Sequence, residues 1–162
     1  MANRKKELTL DSAMILDALI ALLSRWLHVM AAVAAVGGTL FVVVALLPAA
    51  HEHSAPELLG AVQRRFKRLV HVAIGLLLLT GLYNYLVVSL PRVREWESES
   101  ARGLYHGLMG VKIVLAVVLF AVALLLLKPV PAMQAKRQRW LLLNFVLGSL
   151  IVLIGSVLRR MW

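Results

Sequence analysis

Four ionisable side chains, His28, His71, His106 and Lys112, stand inside long apolar stretches of the sequence. Such groups are costly in those surroundings and mark ion pathways, proton relays or cofactor ligands. Depth separates them. His28 lies three residues inside Arg25 and His106 four inside Arg102. At 1.5 Å of rise per residue, both fall roughly 5 Å below one face of the membrane, here called side A. Two imidazoles at one depth on antiparallel helices can hold one iron from opposite sides, as in the bis-His b-type haems of helical bundles. Ala32, Ala35 and Gly38 follow below His28, and Gly110 below His106. These small residues leave room for a flat macrocycle, although they also serve plain helix packing. Arg25 and Arg102, at the membrane edge, suit haem propionates through charge-assisted hydrogen bonds. Asn84 shares a helix face with Thr80 and Gly81 toward side A and suits the haem rim.

Lys112 stands nine residues into its stretch, near mid-bilayer, where an unpaired ammonium costs about 2.5–3.5 kcal/mol on insertion scales. It is expected to face the interior as an auxiliary proton or charge site. His71 lies three residues inside Arg68, near the opposite face, side B, at the depth of Asn144. A His71–Asn144 hydrogen bond is expected there. Outside the apolar stretches, His51-Glu52-His53 sets two imidazoles around a carboxylate, a donor set that can hold Cu(II) or Ni(II). Met30 and Met109 neighbour the two side A histidines and offer thioether sulfur.

The elements that must position these groups are apolar helices. Hydrophobic residues make up 61% of the chain, against about 45–50% in soluble domains. Four stretches, 26–48, 69–90, 103–127 and 140–158, each supply the roughly 20 apolar residues that cross a hydrocarbon core, and charges fence each one. Short connections make sequence neighbours antiparallel neighbours in space. The expected fold is all-α: an integral membrane antiparallel four-helix bundle, one domain over 1–162, with both chain ends on side A. Residues 10–24 keep Asp11, Asp17 and Ser24 among apolar residues and read as a short amphipathic helix that precedes span one and runs into it, a form suited to the membrane surface.

The net charge of +10 would suggest nucleic acid in a soluble chain. Here the basic residues flank spans, where they anchor helices and meet anionic headgroups, so nucleic acid is not an expected partner. The chain has no cysteine, which removes disulfides and zinc–thiolate sites. Lys and Arg are nearly balanced between the two sides, and the compact basic loops of side B favour that side as cytoplasmic. The expected location is the bacterial inner (cytoplasmic) membrane.

The segment RWLHVMAAVAAVGGTLF of span one resembles the opening of the HemJ-type protoporphyrinogen oxidases and of the related CopD-type membrane domains. RRFKRLVHVAIGLLLLTGLYNY resembles their second span, and YHGLMGVKIVLAVVLF the third, with its intramembrane lysine. The resemblance covers about residues 25 to 125. It implies a four-helix membrane fold. In HemJ-type proteins it implies bound haem b and a functional role for the residues matching His28 and Lys112. In CopD-type domains it implies copper handling.

The leading functional expectation is a membrane haem b protein in electron transfer, an oxidoreductase drawing on a hydrophobic donor such as a quinol or porphyrinogen. His28 and His106 would ligate the iron, with Arg25, Arg102 and Asn84 around the haem and Lys112 as an auxiliary group. The first alternative is a CopD-like copper-handling protein using His51 and His53. The second is an assembly subunit without a cofactor. Expected partners are the lipid bilayer, the hydrophobic donor and, as an option, a second copy of the chain.

Overall fold

In the computed structural model the described residues are 2–52, 56–128 and 136–161, and among them there is no strand. Among the described residues, four helices are long and apolar enough to cross a bilayer: Asp11–Ala50, Leu59–Arg94, Glu99–Leu126 and Arg137–Arg160. No more than 22% of the apolar window of any of them is buried inside the protein, so most of that surface is left to lipid. The chain is an integral membrane helical bundle. Each span is longer than the apolar stretch that defines it, because charged residues at the ends keep helical backbone beyond the hydrocarbon.

Span one begins in α1 (Ala2–Phe41), an unbroken helix. The expected amphipathic segment is the first part of this helix and runs directly into span one. No glycine or proline interrupts residues 10–24, and Leu, Ala and Ile there are competent helix formers. Span one continues through a π-helical turn, Val42–Leu46, into α2 (Leu47–Glu52). Span two is α3 (Pro56–Tyr83), a second π turn, Asn84–Ser89, and α4 (Leu90–Arg94).

Proline accounts for both π turns. Pro48 and Pro91 lack an N–H for the carbonyl four residues back, and their rings crowd it. Those carbonyls belong to Val44 and Val87, one inside each π turn. Widening the helix there accommodates the proline, an adjustment that membrane helices use to keep the freed backbone groups satisfied.

Span three is α5 (Glu99–Leu126), opened by Ser98, whose hydroxyl accepts from the Ala101 amide at 3.3 Å in an N-cap. Span four is α6 (Arg137–Arg160). Span one packs along span two, span three along span four, and spans one and four join the two hairpins. An apolar cluster closes each end of the bundle. At side B, Val42, Leu126 and Leu141 pack with Phe66 and Trp140. At side A, Val93, Tyr105 and Leu158 pack with Tyr85, Trp96, Met109 and Met161. Between them spans one and four approach closely at Gly148, where an added Cβ would stand 2.8 Å from Val36 Cγ2.

Candidate functional site on the side A half of the bundle

His28 is half-buried on the face of span one that meets span two. Its Nδ1 lies 2.9 Å from Thr80 Oγ1, and the Thr80 hydroxyl in turn bonds the Leu76 carbonyl. The direction of the chain follows from counting protons. A carbonyl only accepts and a hydroxyl has one proton, so Thr80 donates to Leu76 and accepts from His28. The imidazole is therefore held with its proton on Nδ1. In the neutral ring, Nε2 keeps its lone pair. A second hydrogen-bonding partner that fixes tautomer and ring orientation in this way is the usual support of a metal-ligating histidine.

Gly81 completes the seat. A Cβ added there would stand 3.1 Å from His28 Cε1, so the ring edge packs tightly on the Gly81 backbone and a larger residue would press on it. One helical turn toward side A, two further polar atoms are buried without a hydrogen-bond partner, Ser24 Oγ on span one and Asn84 Oδ1 on span two. Ser24 precedes His28 by four residues and Asn84 follows Thr80 by four. In antiparallel helices bonded through His28 and Thr80, these two share one depth and one face. Asn84 is also the first residue of the π turn, and π turns recur at functional sites.

Lys112 is half-buried and faces span four, where a Cβ on Gly155 would stand 3.5 Å from its Nζ. Its charge acts on the His28 ring. The side A face of the cluster is closed by Tyr105, almost fully buried at 1% exposure, whose hydroxyl bonds the Ser89 side chain and which feels the charge of Arg25. Trp96 meets the Tyr105 ring edge-on at 5.6 Å.

His106 does not join this cluster. Tyr105 takes the interior position at that depth, and His106, a further 100° round the helix, is exposed, its ring edge-on to Tyr105 at 5.8 Å. The structure thus turns His28 inward and His106 outward. The two expected iron ligands are therefore not brought together. The Cε1 edge of His28 packs on Gly81, and the partly exposed Arg102 stands 3.8 Å from Glu99. Arg25 and Asn84 do lie near the cluster, through Tyr105 and Thr80 respectively.

The other expected pairing also fails, for a local reason. The exposed His71 bonds the Lys67 carbonyl at 2.7 Å, one turn back in its own helix. Asn144, buried, donates to the Leu119 carbonyl of span three at 3.0 Å. Each finds a backbone acceptor closer than the other side chain. His51 belongs to α2, and His53 lies outside the described residues. Met30 is exposed, while Met109 packs in the side A cluster. Among the described residues, no three His, Cys, Asp or Glu side chains gather as a metal site.

Residues missed by sequence reasoning are Ser24, Ser89 and Tyr105. The first had a readable signal, its four-residue spacing from His28. The other two depend on which side of span three faces inward.

The sequence model of a family described as copper resistance protein D matches residues 60–158, well over half of the chain. The chain belongs to the copper resistance protein D family. No curated protein and no solved structure matches it. The CopD-type half of the resemblance is thereby supported, and the HemJ-type half is not. The match to the copper resistance protein D family runs from the start of span two almost to the end of span four. It takes in Thr80, Gly81, Asn84, Ser89, Tyr105, Lys112 and Gly155, while His28 and Ser24 lie before it.

Proposed function

We propose that the protein handles copper within the membrane, with His28 Nε2 as the ligand that receives the ion from side A. The observation that carries this reading is the Leu76–Thr80–His28 hydrogen-bond chain, which leaves one imidazole nitrogen available as a ligand. Membership of the copper resistance protein D family supplies the class of ion. Imidazole suits copper, and thioethers such as that of Met109 suit its reduced form.

The surrounding groups support passage rather than permanent storage. Ser24 Oγ and Asn84 Oδ1 can replace water around a cation on its way to His28. The Lys112 ammonium opposes a cation held there, so one good ligand is offset by a like charge. Binding strong enough to admit an ion and weak enough to release it is what conduction requires. The copper is cargo on this reading, and the haem expectation is set aside because neither the packing around His28 nor the family favours it. Helical spans, rather than a barrel, suit the bacterial cytoplasmic membrane.

The test is the copper content of cells producing the protein beside cells producing His28→Ala at equal membrane levels. A severalfold difference from non-producing cells, lost in the variant, is expected. Equal copper content in all three, or a purified protein with a haem Soret band that His28→Ala removes, overturns the reading.

A further inference from the structure

A second feature lies at the other end of the bundle and is independent of the copper site. A partly enclosed cavity, about 530 Å³ with its open mouth included, enters between the helices at side B. Its lining is mainly apolar, with Val42, Leu46, Phe66 and Leu141 among the wall residues. Its deeper polar groups ask nothing of a ligand. Thr39 donates to the Ala35 carbonyl at 2.8 Å, and Asn144 to that of Leu119. One charged group is different. Arg137, which also lines the cavity, has its Nε buried without a hydrogen-bond partner.

Chemistry and position together define the ligand. A guanidinium offers a fork of donors that matches a phosphate in two hydrogen bonds. Arg137 is the first residue of α6, so the partial positive charge of that helix N-terminus adds to its own. Lys128, Lys136 and Arg139 stand exposed around the same end of the bundle and raise the local potential toward anionic headgroups. From Arg137 to Asn144 the cavity runs seven residues along span four, about 10 Å, through apolar walls that suit an acyl chain and not a soluble anion.

We propose that this cavity binds one anionic phospholipid, its phosphate on Arg137 and the upper part of an acyl chain between Phe66 and Leu141. Charge complementarity at the mouth and an apolar interior favour this occupant over a zwitterionic lipid or free phosphate.

The test is native mass spectrometry of the full-length, detergent-purified protein titrated with phosphatidylglycerol and phosphatidylcholine of identical chains. One phosphatidylglycerol per chain is expected to bind more tightly than phosphatidylcholine, whose choline brings a positive charge to the basic mouth, and at least about tenfold more tightly to the parent than to Arg137→Gln, the worth of one charge-assisted contact. Arg139→Gln, exposed and outside the lining, should keep the parental affinity for phosphatidylglycerol. Ala123→Phe narrows the cavity and leaves Arg137 in place, so it guards against a folding defect in the first variant. It should lose the tightly bound lipid as well. Equal affinity for both lipids overturns the proposal, as does parental affinity for phosphatidylglycerol in Arg137→Gln or in Ala123→Phe. Inorganic phosphate that competes as well as phosphatidylglycerol would show a free-anion site and overturn it equally.

Discussion

Thr80→Val keeps the shape of the residue and removes the hydroxyl on which the His28 tautomer rests. In the parent, Thr80 spends its proton on Leu76 and its oxygen receives His28 Nδ1–H at 2.9 Å. Valine can do neither, so the imidazole loses its orientation and its preference for a free Nε2. The cost in stability is modest. Side-chain hydrogen bonds between membrane helices average about 0.6 kcal/mol and reach about 1.7 kcal/mol. At roughly 2–4 °C per kcal/mol for a chain of this size, the melting temperature should fall by about 1–7 °C. The cost in copper binding is larger, because removing the partner that orients a metal-ligating histidine lowers affinity by about 10- to 100-fold. Anaerobic titration of copper(I) against a colorimetric chelator, on protein shown folded by its thermal transition, reads both quantities. Thr80→Ser, which keeps the hydroxyl, should recover most of the affinity. Parental copper affinity in Thr80→Val would refute the tautomer argument. So would an affinity loss in Thr80→Ser as large as in Thr80→Val.

Further outcomes follow from the same geometry. His106→Ala should leave copper binding at the parental value while His28→Ala abolishes it, since only the latter ring faces the cluster; the same titration measures both. Lys112→Met should raise the melting temperature, because it removes a charge whose insertion costs about 2.5–3.5 kcal/mol, yet change the rate of copper release in stopped-flow chelator capture. Gly148→Ala should destabilise by about 1–3 kcal/mol, because its Cβ meets Val36 at 2.8 Å, whereas Gly110→Ala, with nothing within 4 Å, should be neutral or slightly stabilising in thermal melts. Single cysteines at Glu97 and Ser100 should label from one side of the membrane, and those at Glu57 and Lys128 from the other.

How much of this was legible in the residues varied with the physical scale involved. The four spans follow from hydropathy and fencing charges, and the helical architecture agrees. The depth of His28 also follows from counting residues in from Arg25. Facing is a finer matter. Tyr105 and His106 differ by one position, about 100° of rotation, and hydropathy alone assigns neither to the interior. The structure buries Tyr105 because it offers more apolar surface and its hydroxyl reaches Ser89. Matching depth alone therefore does not tell which member of that dipeptide faces His28. The expected His71–Asn144 bond failed for a related reason, since the Lys67 carbonyl one turn back holds His71 and the Leu119 carbonyl of span three holds Asn144. Hydropathy passes over Pro48 and Pro91. Their effect, a π turn that carries Asn84 and Ser89 into the site, needed the carbonyl four residues back to be considered. Thr80, Gly81 and Asn84 were noticed as one face, but the direction of the hydrogen bonds, from which the ligand role of His28 derives, appears only with the atoms in place.

The most direct test of copper handling through His28 is copper(I) flux into sealed liposomes carrying the purified protein and a trapped chelator dye. Flux above that of protein-free liposomes, reduced to their level by His28→Ala and unaffected by His106→Ala, is the predicted result. Flux no greater than in protein-free liposomes, or flux that survives His28→Ala unchanged, would contradict it.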